Sequence, residues 1–264
     1  HMQFLGNTVK EIAGEKAGII VPGVPVIFDG NDPDAAEVIE ARAKELKSPA
    51  YKVVQADARV LGNNKDGIDF SLEDKYYGDN RFHIPFIAWY QVMNASLALT
   101  TMEVLKEQIP VTIDQLQNGI ADTRWQGRME TILPGVIVDG AHNEDGVRRF
   151  VETAERFQEE YPLTLLFSAV SDKDYQDMIH TICSRIRFRK VVTTEVGGYR
   201  EVPSAQLAEI FCKEGCEDVG NSDDIAQAFQ MARTAKGEDG MLFCVGSLYL
   251  VGEIKAILLK ETGK

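Results

Sequence analysis

Hydrophobic positions along this chain come in two textures, and the change between them falls near residue 124. From 8 to 16 the spacing is helical and stops at Gly18. Val24 to Gly30 is an apolar, β-branched run bounded by proline and glycine, which predicts a buried strand. Asp32-Pro33-Asp34 then supplies a helix start, with Asp32 as N-cap and Pro33 in the first position. Residues 51–56 read as a second strand, closing a strand–helix–strand unit. Ile68/Phe70/Leu72 and Phe82/Ile84/Phe86 alternate at period two and predict hairpin strands joined through Gly78-Asp79-Asn80. Helices are predicted from 89 to 108 and from 112 to 122.

After Trp125-Gln126-Gly127-Arg128 short apolar runs alternate regularly with helical patterns. Strands fall at 136–139, 163–170, 190–196 and 241–245, and helices at 143–161, 174–187, 204–215, 223–236 and 247–261. Strands alternating with helices of this length predict an α/β fold with a parallel, doubly wound sheet covered on both faces. Two domains are expected, 1–124 and 125–264, as the length suggests at roughly 100–200 residues per domain.

Composition narrows the function classes. With 44% hydrophobic and 26% charged residues the chain is ordinary globular protein, not a fibre or a disordered tail. Its 41 acidic against 28 basic residues give −13, which repels phosphate backbones and anionic lipid, so neither nucleic acid nor membrane is an expected partner. Cys183, Cys212, Cys216 and Cys244 are too few and scattered for a disulfide scaffold, and they read as reduced thiols. No secretory signal pattern is visible, so a cytoplasmic location is expected.

No G-x-x-x-x-G-K-[ST], G-x-G-x-x-G, G-x-S-x-G or H-E-x-x-H signature occurs. Five local constellations remain. Lys16, in Glu15-Lys16-Ala17-Gly18, is either functional or a solvated last helical turn. Asn94 opens a small-residue helix, as a ligand group or a packing amide. Arg128 stands at the domain joint, able to bridge domains or to grip a phosphate or carboxylate bidentately. Asp139-Gly140-Ala141-His142-Asn143 runs from a strand end into a helix, where open α/β sheets bind ligands and free amides favour anions. There Asp139 can take a ribose hydroxyl and His142 can face phosphate, or Asn143 is simply a cap beside an incidental histidine. Asp172-Lys173-Asp174 follows the next strand in the same way, or is a solvated turn.

Taken in order, these segments resemble the folylpolyglutamate synthase/dihydrofolate synthase family of Mur-type ATP-dependent amide ligases. The matching runs are His1 to Thr8, Glu15 to Ile20, Gln91 to Ala95, Gly127 to Glu130, Asp139 to Asn143, Asp172 to Asp174 and Gly246 to Glu253. The resemblance implies the C-terminal half of a central ATPase domain, followed by a Rossmann-like C-terminal domain. It implies ATP and Mg2+, with folate or dihydropteroate and L-glutamate as partners, and a monomer. A carboxylate would be activated to an acyl phosphate, which the amino group of glutamate displaces. Carried onto this sequence, Lys16 is carbamylated and supports magnesium, and His1 is a magnesium ligand. Asn94, Arg128 and Asp139 fall on ATP-contacting positions, His142 lies beside the phosphates, and Asp172 and Lys173 serve the substrate.

Two departures qualify the match. Tyr90 stands where the family usually has histidine, and the family's phosphate loop belongs to a segment preceding the position of His1. The 264 residues are therefore expected to be the C-terminal portion of a ligase and not to turn over alone. Such anionic substrates also call for local positive charge, from Arg81, Arg128 and Lys173. A non-catalytic nucleotide-binding or assembly module, and a cell-wall amino-acid ligase, are the alternatives.

Overall fold

The computed structural model describes residues 8–72, 75–198 and 201–262. The chain divides into two compact units, 1–85 with 89–123, and 86–88 with 124–264.

In the first unit α1 (Val9–Ala17) starts at a capping box, in which Thr8 accepts from the Glu11 amide and the Glu11 carboxylate accepts from the Thr8 amide. Asp32 caps α2 (Pro33–Glu45) with proline in its first turn, as expected. On either side, β1 (Val26–Asp29) and β2 (Ala50–Val53) pair in parallel. The predicted hairpin forms between β4 (Gly67–Ser71) and β5 (Arg81–Ile84). It gains a third, unexpected strand, β3 (Arg59–Asn64), antiparallel to β4. Two helices follow, α3 (Tyr90–Val104) and α4 (Ile113–Ala121).

The second unit is a six-stranded α/β sheet. Its strands are β6 (Glu130–Leu133), β7 (Val136–Asp139), β8 (Leu163–Phe167), β9 (Lys190–Thr193), β10 (Val219–Asn221) and β11 (Met241–Val245). They lie in the order β10-β9-β8-β11-β7-β6, all parallel except β6, which runs antiparallel to β7. The α/β reading of the sequence therefore holds. Helices α5 (Glu144–Ala154), α6 (Tyr175–Cys183), α7 (Ser204–Lys213), α8 (Ile225–Lys236) and α9 (Leu248–Thr262) connect or follow the strands. Every residue of β7, β8 and β11 is buried, as central parallel strands covered by helices require. Val138, Leu166, Leu242, Phe229 and Ile254 lie in one apolar cluster on this sheet, and Phe150 meets Phe243 edge to face at 5.5 Å. Among the described residues no helix is long and apolar enough to cross a membrane.

Candidate functional site

Parallel topology gathers the strand exits of the second unit along one edge of the sheet, where helices begin and their first amides lack partners. At this edge β7 ends on Asp139. The chain then passes through Gly140, Ala141 and His142, and Asn143 caps α5 by accepting from the Gly146 amide at 2.8 Å.

Asp139 is only 4% exposed. Its Oδ1 accepts from the Ala141 amide and its Oδ2 from the Met129 amide, both at 2.8 Å. One carboxylate thus fixes the exit of β7 and also ties it to the 127–130 segment. That segment is sharply bent. Gly127 (φ 66°) and Met129 (φ 46°) are both left-handed, a conformation rare for a residue with a long side chain. The Gly140 amide donates to the Gly127 carbonyl at 2.8 Å, and the Gly127 amide donates to Glu130 Oε2 at 2.8 Å. Glu130 is held in turn by Lys255 Nζ of α9, at 2.8 and 3.1 Å. Arg128, half-buried, is therefore carried between two left-handed residues anchored from both sides.

Burial dominates the electrostatics of Asp139, pushing its carboxyl up to about 6. The two amides oppose that rise, as do the charges of Arg128 and His142. Arg128, Asp139 and His142 consequently form one electrostatic group. His142 Nδ1 lies 2.7 Å from the Gly140 carbonyl. A carbonyl can only accept, so Nδ1 carries the proton and Nε2 is the nitrogen left for a ligand.

His142 also lines a pocket of about 230 Å³ with Glu144, Asp172, Lys173, Asp174 and Asp177. The loop after β8 thus meets the loop after β7, bringing together His142, Asp172 and Lys173. Asp174 is spent on capping α6, accepting from the Asp177 amide at 3.3 Å. The pocket is acidic on balance, with four carboxylates against Lys173 and His142, and of the three expected basic groups it holds Lys173. Arg81 lies on β5 of the first unit, its carbonyl accepting from Gln117 Nε2 at 2.8 Å.

The first unit carries the other two described candidates. Lys16 is exposed in the last turn of α1. Asn94 is exposed on α3, its amide donating to the buried Gln91 Oε1 at 2.8 Å, so it is not a buried packing amide. His1 lies outside the described residues. Among those described, no group of three or more His, Cys, Asp or Glu could hold a metal. Reading the sequence alone missed Lys255, whose partner lies 125 positions away. Ser247, within the run Gly246 to Glu253, accepts from the Tyr249 amide at 3.1 Å and so caps α9.

Comparison with known proteins adds the chemistry. Residues 127–248 match the glutamate ligase domain of Mur ligases. The chain is 33% identical to the dihydrofolate synthase/folylpolyglutamate synthase of Bacillus subtilis, over 97% of its own length and 59% of the relative's. Among solved structures it is similar to a folylpolyglutamate synthase from Thermotoga maritima, with a TM-score of 0.79 and 26% identity, covering 97% of this chain and 59% of that one. It is likewise similar to an FPGS–AMPPCP complex, with a TM-score of 0.73 and 26% identity, covering 98% and 59%. The chain thus spans about three fifths of the length of these relatives.

Proposed function

Because this chain is a homologue of the dihydrofolate synthases/folylpolyglutamate synthases with a Mur ligase glutamate ligase domain at residues 127–248, we propose that it serves an ATP-dependent ligase joining L-glutamate to a folate or dihydropteroate carboxyl group. In this reaction the acceptor carboxylate attacks the γ-phosphorus and ADP leaves. The glutamate amino group, having lost a proton, then attacks the acyl carbon and phosphate departs. The observation that carries the reading is similarity along nearly the whole chain together with a charged pocket at the carboxyl edge of its sheet.

Each group has a task within that reading. Arg128 offers a planar guanidinium to phosphate oxygens, held in place by Asp139, Glu130 and Lys255. His142 Nε2 contacts the phosphates, and the first amides of α5 favour their charge. The acidic balance of the pocket suits an amino acid. Its carboxylates, Asp172 among them, receive the ammonium group, while Lys173 takes a substrate carboxylate. In the first unit Asn94 contacts the nucleotide. Magnesium bound with those phosphates would draw support from a carbamylated Lys16, whose carbamate oxygens suit a hard cation, and the resemblance adds His1 as a further ligand. The AMPPCP complex of a similar protein supports ATP as the nucleotide.

The test is glutamate-dependent ADP formation by the full-length protein containing this sequence. Tetrahydrofolate, dihydropteroate and a UDP-muramoyl peptide are supplied as separate acceptors. ADP with either pterin is the expected result, and both responding makes the protein bifunctional. Turnover with the muramoyl acceptor alone would move it to cell-wall ligation, and silence with all three would end the ligase reading. These 264 residues hold no G-x-x-x-x-G-K-[ST] loop, so by themselves they are expected to form no ADP. In the full-length enzyme, Lys173→Glu raises the KM for glutamate or ATP. An unchanged KM removes Lys173 from the site.

A further inference from the structure

On the β10 side of the second unit, away from the β7 and β8 exits, two of the four cysteines meet. Cys183 closes α6 and Cys216 follows α7. The turn after α7 explains the meeting. Gly215 is left-handed (φ 91°) and its amide donates to the Cys212 carbonyl at 3.1 Å. The Cys216 amide then donates back to the Phe211 carbonyl at 3.0 Å, which brings Cys216 toward α6. The two sulfurs end 3.6 Å apart, both half-buried, beside a hollow of about 370 Å³ that Arg187, Arg189, Glu214 and Asp218 also line.

We propose that Cys183 and Cys216 are a reversible dithiol/disulfide pair, oxidised by peroxide-class oxidants and reduced by thiols. A disulfide needs the sulfurs at about 2 Å, so the 3.6 Å gap must close by less than 2 Å. The hollow admits a small oxidant. Metal capture is the lesser use, since no third His, Cys, Asp or Glu among the described residues completes a metal site here.

The two thiols have unequal parts. With Cys183 as the donor of the shared S–H···S contact, that contact and the charge of Arg187 draw the Cys216 thiol below its ordinary range, against burial and Glu214. The same contact, burial and Glu214 push Cys183 well above it. Cys216 is thus the attacking thiolate. Its sulfur takes one oxygen of the peroxide as the O–O bond breaks, giving a sulfenic acid and hydroxide, which is protonated to water. The Cys183 sulfur then attacks that of Cys216. The S–S bond forms, the S–O bond breaks, and the Cys183 proton leaves with the departing hydroxide as a second water. Two thiols have lost two electrons and the peroxide has gained them. A thiol reductant reverses the sequence by exchange.

The experiment treats this chain with graded hydrogen peroxide, alkylates the remaining thiols, and maps peptides by mass. The expected product has lost two hydrogens, links Cys183 to Cys216, leaves Cys212 alkylatable, and returns to the dithiol with dithiothreitol. In Cys183→Ser a sulfenic acid trapped by dimedone accumulates on Cys216. Linkage of Cys216 to Cys212, or Cys183 and Cys216 both still alkylatable once the exposed Cys212 is oxidised, would each overturn the proposal. The wild-type peptide map decides even if the variant fails to fold.

Discussion

At the scale of single residues, Asp139 holds the candidate site in shape while resisting its own charge. Burial lifts its carboxyl from 3.8 to about 6. Between those values the folded chain binds the proton more tightly than the unfolded chain, so folding is favoured by acid. The contribution is fully present below about pH 4, falls as the pH climbs toward 6, and is gone above it, a loss on the order of 3 kcal/mol. Asp139→Asn cannot titrate. It also turns an NH2 donor toward one of the two amides that the carboxylate satisfies, which costs about 1–3 kcal/mol. Urea unfolding of wild type and Asp139→Asn between pH 4 and 7.5 should therefore show their stability difference changing across the window. Parallel pH profiles would remove the buried charge from the account. Arg128→Ala should raise the Asp139 value further, because the guanidinium holds it down, and a carboxyl carbon NMR titration reads this directly. Asp139 and His142 could be singled out in the sequence because strand ends and helix starts are local events, and Arg128 because the change of texture near residue 124 is one too. The Cys183–Cys216 meeting could not, since it spans 33 positions and depends on how two helices end.

Among the elements, the strands that escaped the sequence share one physical trait. β6 and β10 are the two edges of the six-stranded sheet and β3 is an edge of the three-stranded one. An edge strand is paired on one side only and half-solvated, so Arg59–Asn64 or Val219–Asn221 needs neither an apolar run nor strict alternation. Central strands, buried on both faces, have no such freedom and could be read at once. Overlong strand readings have a related cause. Ser168 to Val170 stays largely buried after β8 ends at Phe167, so the apolar signal outlasts the ladder. Just past that end the Ser168 amide still donates to the Val245 carbonyl at 3.2 Å, and Gly246 (φ 112°) comes so close that a Cβ there would collide with the Ser168 carbonyl oxygen. Gly246→Ala should accordingly cost roughly 3 kcal/mol or more, through a left-handed alanine and a backbone clash together. A urea midpoint close to wild type would show that the two backbones separate easily. The Glu130–Lys255 pair is largely shielded but still wet, with side chains 23% and 28% exposed. Lys255→Ala should cost about 1 kcal/mol, and with Glu130→Ala should show coupling in a double-mutant cycle.

For the whole molecule, the division into two units makes a prediction about cooperativity. The apolar cluster on the six-stranded sheet draws its buried members from Val136 to Ile254, with Ile132 and Leu258 packed at its margins. None of these residues comes from the first 123, so this cluster is built within 124–264. A segment of about 140 residues hides close to two thirds of its unfolded surface, enough for an independent core. The polar anchors behave alike, since Asp139 to Met129, Glu130 to Lys255 and Cys183 to Cys216 all close within 124–264. Residues 124–264 expressed alone should therefore unfold in urea as one sigmoidal transition, with far-UV circular dichroism and near-UV tryptophan signals coinciding. The carboxyl carbon of Asp139 should titrate in that segment as it does in the whole chain. A gradual transition, or an Asp139 returned to ordinary carboxylate behaviour, would mean that the site draws its rigidity from residues 1–123. The second outcome with a sharp transition would confine that dependence to the 127–130 bend and leave the sheet autonomous.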